Sequence, residues 1–253
     1  MIEEFRKSLE EGYLNYLLVH ARSSTKIVPM HRCIAHILQK KLGENYSIKS
    51  MGVGDGREFN FKGAYYSKNL DITILKEGKP VSALGFKFVT SNYKQNSNNY
   101  FENMLGETAN VKKNGLIYAQ ILVLKEQMPY FSTDKKQFTK VEKINELNLK
   151  KYFKLCTQIG ENLYHKPDIM YIAFVKTGDE ERMLQAIKNG EKISKTQFNN
   201  IELSPLVNLQ FLNTNELDEK FSDDMTNFLI QNDDFEKFIT EFVHLTKENE
   251  FNR

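Results

Sequence analysis

"LDITILKEGKPVSALGFKFV" (residues 70–89) places two runs of β-branched and aromatic residues on either side of a short polar break. Gly78 and Pro80 supply turn chemistry there, so the stretch predicts a β-hairpin. Alternate residues of a strand share a face. Asp71 and Thr73 therefore point one way, and Leu70, Ile72 and Ile74 the other. On the partner strand Val81, Ala83, Gly85 and Lys87 share a face opposite Leu84, Phe86 and Phe88. Asp71 and Lys87 break runs that should be apolar, and the hairpin can bring them together, with Gly85 leaving an open spot beside both.

Outward from the hairpin, helical spacing predicts amphipathic helices over residues 2 to 20 and over "PMHRCIAHILQKKLG". "NYSIKSM" reads as a short strand, followed by a Gly-punctuated connection with strand character around Phe59 and Phe61. After the hairpin the polar "TSNYKQNSNN" leads into a helix, "YFENMLGETANVKKNG", that stops at Gly115. The apolar "LIYAQILVL" then suits a central strand, and the helix before it makes a parallel crossover. Residues 126 to 148 read as a polar connection with an aromatic knot, followed by a helix ("LKKYFKLCTQI"), a strand ("PDIMYIAFV"), a helix ("EERMLQAIKNG") and a helical finish from Asn215. The fold class is α/β, a central mixed β-sheet flanked by helices with helical N- and C-terminal elaborations, in a single domain over residues 1–253.

Composition narrows the function. With 40% apolar and 27% charged residues the chain has the makeup of a soluble globular protein. Thirty-five basic against 33 acidic residues leave a net charge of +2, so nucleic-acid binding would need local patches. Two cysteines, Cys33 and Cys156, make no disulfide framework and fit a reducing compartment. No run approaches the roughly 18 apolar residues of a membrane span, and the first segment alternates charge with apolar residues. A cytoplasmic, bacterial location without membrane attachment is expected.

An acid beside a lysine at the rim of a sheet suits phosphodiester hydrolysis: the carboxylate binds a divalent metal, and the lysine positions a water and offsets phosphate charge. A second acid is normally recruited, and Glu102, Glu107 and Glu58 are available. The bland alternative is a strand-edge salt bridge. The ordered set of acid, lysine, Glu-bearing helix and apolar strand resembles the PD-(D/E)XK nuclease superfamily over residues 28 to 124, with residues 125 to 253 as an elaboration. Leu70-Asp71 stand in the place of that family's "PD" and Gly85 to Lys87 in the place of its "(D/E)XK". The resemblance implies an αβββαβ restriction-endonuclease-like core with its site on the second and third strands. Gly85 stands where the family's acid would be. Some restriction endonucleases of the superfamily carry that acid on the following helix, and Glu102 is assigned the role here, with Glu107 and Glu58 as alternatives.

The run from Gly85 to Val111 is also similar to bacterial type II restriction endonucleases. The implied function is Mg2+-dependent, with Mn2+ as a substitute: site-specific hydrolysis of double-stranded DNA as the restriction half of a restriction-modification system. Asp71 and Glu102 would bind metal and Lys87 would position water. Asn92, Lys94, Gln95, Asn96 and Asn98 are polar donors for phosphates or base edges. A homodimer would cut both strands, and a cognate DNA methyltransferase would be the functional partner. The alternatives are a repair or mobile-element nuclease of the same superfamily, or an inactive DNA-binding module. A literal "PD" at Pro167-Asp168 reads as a strand start, and His31, Cys33 and His36 as incidental residues of one helix, since no second ligand pair follows for zinc. "GVGDG" precedes no helix and reads as a turn.

Overall fold

The computed structural model describes residues 1–18, 24–132, 137–193 and 204–251. Two helices, α1 (Ile2–Leu18) and α2 (Val28–Leu42), precede strands β1 (Tyr46–Ser50), β2 (Phe59–Lys62), β3 (Ser67–Leu70), β4 (Ile72–Lys76) and β5 (Lys79–Val89). Helix α3 (Tyr93–Lys112) leads into β6 (Ile117–Lys125), β7 (Gln127–Phe131) and β8 (Phe138–Lys143). Then follow α4 (Glu146–Cys156), β9 (Ile169–Lys176), α5 (Glu180–Lys188), β10 (Gln210–Leu212), α6 (Asp223–Asn232) and α7 (Phe235–Phe251). The fold is α/β: a mixed sheet in the order β1-β4-β5-β6-β9-β10, flanked by helices, with helical N- and C-terminal parts. Val19 and His20, the end of the expected first helix, and residues 133–136 of the expected connection lie outside the described residues.

The hairpin forms as its pattern requires. Glu77 and Gly78 both take positive φ (49° and 76°), the backbone of a tight two-residue turn whose twist matches the strands. β4 pairs antiparallel with β5, with Ile72 opposite Leu84 and Thr73 opposite Ala83. β5 runs parallel to β6, and β6 to β9, so α3 is the crossover that its length allows. The sequence reads as one strand from Leu70 to Leu75, but the chain changes sheets at Asp71: β3 pairs with β2 in a separate two-stranded sheet. The acid thus sits at a bend between two sheets.

One face of the sheet carries Ile72, Ile74, Leu84, Phe86, Ile121 and Tyr171 against α1, α2 and α7. Phe5 and Phe235 stack there with ring centroids 4.3 Å apart, joining α1 to α7. Each such buried side chain contributes about 1.5–3 kcal/mol. The other face carries Leu122, Leu124, Ile172 and Phe174 against Tyr93, Met104, Leu149, Tyr152 and Phe228 of α3, α4 and α6.

Two local readings change. Helix α3 begins at Tyr93, seven residues before the expected start at Tyr100. Asn and Ser are weak helix formers, but Tyr93 and Ser97 are buried and packing overrides propensity. Residues 127–131 and 138–143 form the hairpin β7–β8 in place of the expected connection. Its pattern is interrupted by Pro129, which a two-stranded edge tolerates, and Phe131 and Phe138 pack on Tyr13 and Leu17.

Candidate active site

Asp71, Lys87 and Glu107 line one cleft of about 540 Å3 between the sheet and α3. Asp71 is held by the hairpin: Phe86 N–H donates to its Oδ2 at 2.8 Å, and its carbonyl accepts from Ser50 Oγ at 2.8 Å. Lys87 projects from β5 with Nζ 4.4 Å from the centroid of the Tyr100 ring, a cation–π contact. The α3 residues in the cleft are Tyr100, Asn103, Met104 and Glu107, the i, i+3, i+4, i+7 stripe of one helix face.

That stripe bears on the choice of acid. Glu102 lies off it: exposed, absent from the cleft, with its charge acting on Lys151. Helix α3 begins at Tyr93, so Glu102 falls mid-helix on the solvent side. Glu107, the alternative, points inward: it accepts from the Tyr118 hydroxyl at 2.9 Å and pairs with Lys68 of β3. Glu58, half-buried just before β2, is a third acid, on which the charges of Asp71 and Glu107 act.

Gly85 has a steric explanation. A Cβ there would overlap the Tyr118 hydroxyl and come within 2.7 Å of Gln120 Oε1. Gln120 also donates from Nε2 to the Gly85 carbonyl at 3.1 Å. Side chains of β6 therefore fill the space that an acid at position 85 would need, and one of them orients Glu107.

Electrostatics mark the group. Burial raises the pKa of Asp71 against the Phe86 N–H and the charges of Lys68 and Lys87. Burial also raises Glu107; Lys68 opposes this and Asp71 adds to it. Glu58 is pushed up by burial, then by Asp71 and Glu107. Lys87 is lowered by burial, with Asp71 and Glu107 resisting. Burial works against the charge on Lys68, but Glu107, with Tyr66 and Asp71, outweighs it and raises that pKa. Carboxylates that repel one another in a partly dry cleft are hard oxygen donors for a dication such as Mg2+, which takes one or two carboxylates and completes its shell with water and phosphate. Among the described residues no three His, Cys, Asp or Glu side chains form a ready-made metal cage. Asp71 and Glu107 fit the two-carboxylate pattern, although the Lys68 ammonium now neutralises Glu107.

The polar residues ahead of the cleft divide. Asn92 is buried in left-handed backbone and clasps β7, donating to the Phe131 carbonyl at 2.8 Å and accepting its N–H at 3.1 Å. Asn96 donates to the Asn92 carbonyl at 3.0 Å. These two close the start of α3. Lys94, Gln95 and Asn98 are exposed, Asn98 accepting from Lys151 at 3.0 Å.

Sequence reasoning missed Lys68, Tyr118 and Gln120. Glu107 had a usable signal, standing three residues after Met104 and four before Val111, both buried. At the literal "PD", Asp168 accepts from Tyr118 N–H at 2.8 Å and pairs with Lys112 at 2.6 Å, the role of a strand-start acid. No family model matches the chain, and neither the curated proteins nor the solved structures include a significant match to it. No helix among the described residues is long and apolar enough to cross a membrane.

Proposed function

We propose that this protein is a divalent-cation-dependent endonuclease acting on double-stranded DNA, the restriction component of a restriction-modification system. The observation that carries the reading is the convergence of Asp71, Glu107 and Lys87 in one cleft. Asp71 and Glu107 are the residues that would hold the cation, Glu107 replacing Glu102 in that role. The cation would supply Lewis-acid stabilisation of charge at the scissile phosphate. Lys87 orients the attacking water and offsets phosphate charge. Tyr118 fixes Glu107 through its hydrogen bond, and Phe86 N–H fixes Asp71. Cutting both strands calls for a homodimer, and protection of the host's own sites calls for a cognate methyltransferase.

The Lys68–Glu107 pair favours a second reading, a module that grips DNA without cutting it, because an ammonium already satisfies the second acid. Digestion of unmethylated phage DNA by the purified protein with Mg2+ or Mn2+ separates the two. A discrete ladder supports the nuclease, a smear supports the less specific repair or mobile-element enzyme, and intact DNA that is nevertheless bound supports the module.

A further inference from the structure

The turn between β2 and β3 presents two adjacent tyrosines to solvent, Tyr65 at 66% exposure and Tyr66 at 49%. Scattered exposed apolar residues need no explanation, but this pair stands on a turn held unusually firmly. The wholly buried Asn110 of α3 accepts from Tyr65 N–H at 2.8 Å and Tyr66 N–H at 3.2 Å, and donates to the Tyr66 carbonyl at 3.0 Å. Its own carbonyl accepts from Ala64 N–H at 2.9 Å, and Asn114 Nδ2 donates to the Lys62 carbonyl at 2.7 Å. At Gly63 a Cβ would overlap the Asn110 side chain, so the turn lies flat against the helix.

Lysines gather around the turn, two of them paired with acids from outside it, Lys68 with Glu107 and Lys112 with Asp168, which leaves Lys62 and Lys113 as its cations without an acid partner among the described residues. Residues 59–70 and 108–118 contain Lys62, Lys68, Lys112 and Lys113 and no acid. The Lys113 ammonium stands 5.3 Å from the Tyr65 ring centroid. The turn also adjoins the cleft: the Tyr66 phenol is near enough to Lys68 and Tyr118 to affect their ionisation. From Tyr66 to Asp71 is five residues, about 16 Å of extended chain, or about five base pairs of helical rise.

The geometry points to the Tyr65–Tyr66 turn as a second contact for the nucleic acid bound in the cleft, rings against bases and lysines against phosphates. Rigid aromatics beside cations suit that partner, because every base offers a π-face and every linkage a charge. The inference rests on the proposed nucleic-acid substrate but does not need cleavage. Its test is the affinity of the full chain, in EDTA at fixed low salt, for a fluorescein-labelled unmethylated duplex and its separated strands. Tyr65→Ser with Tyr66→Ser is expected to weaken binding by about tenfold, within the range one stacked base supplies. Tyr65→Phe with Tyr66→Phe restores most of it. A larger loss on the separated strands assigns the rings to unpaired bases, and a larger loss on the duplex to a groove. Equal affinity of wild type and the serine pair overturns the inference and leaves the nuclease reading standing. No binding of either DNA by wild type overturns it too and points the turn towards a protein partner. Binding that depends on the tyrosines in a protein that never cuts supports the inference while the nuclease reading fails.

Discussion

The Tyr118 hydroxyl donates to Glu107 Oε1 at 2.9 Å and occupies the space that a Cβ on Gly85 would enter. One side chain therefore both excludes an acid from β5 and positions an acid on α3. Overpacking of this kind costs about 1–3 kcal/mol. Gly85→Ala is expected to destabilise the protein by that amount in urea melts, and adding Tyr118→Phe to recover part of it. Unchanged stability of Gly85→Ala would show that the β6 side chains yield freely.

The parity of the hairpin was legible because the period of a strand is two: Asp71 and Lys87 reach one cleft, as alternation requires. The crossover of α3 into β6 was legible from the Gly115 stop and the apolar run. The acid on α3 was not, because the Asn- and Ser-rich start hid seven helical residues and moved Glu102 from the apparent helix start to its middle. Lys68 was hidden because β3 leaves the main sheet just before Asp71. Tyr118 and Gln120 looked like ordinary members of an apolar strand. Their role depends on Ala83 standing opposite Tyr118 and Gly85 opposite Gln120, a register that no local pattern encodes.

Burial raises the pKa of Asp71, so its folded state favours the protonated form. Stability from this group is greatest below its unfolded value and falls as pH rises through the raised folded one. At pH 7 the carboxylate is therefore a burden on the cation-free fold. Asp71→Asn is expected to raise Tm in EDTA, by about 2–4 °C per kcal/mol relieved. Added Mg2+ should raise the Tm of wild type and leave that of the variant nearly unchanged. A variant less stable than wild type in EDTA would mean that the carboxylate charge stabilises the fold.

His31 is wholly buried, neither ring nitrogen has a hydrogen-bond partner among the described residues, and its ring meets Phe86 edge-on. Burial lowers its pKa to about 4. The folded state prefers neutral imidazole, so this stability is complete above the unfolded value of about 6.5 and is lost as pH falls towards 4. A shift of this size corresponds to about 3 kcal/mol. His31→Leu should flatten the fall in stability between pH 6.5 and 4, followed by urea midpoints. An equally steep fall in the variant would assign the acid sensitivity elsewhere.

On the proposed reading, Glu107, set by Tyr118 and Lys68, completes a cation site with Asp71 while Glu102 takes no part. Single-turnover cleavage of unmethylated DNA by wild type, Glu107→Gln and Glu102→Gln tests it most directly. Glu107→Gln should slow cleavage by about 100-fold or more, in line with loss of a main electrostatic contributor, with DNA affinity retained. Glu102→Gln should cut at the wild-type rate. Loss of cleavage in Glu102→Gln with activity kept in Glu107→Gln, or a wild type that never cuts, would overturn the assignment of Glu107.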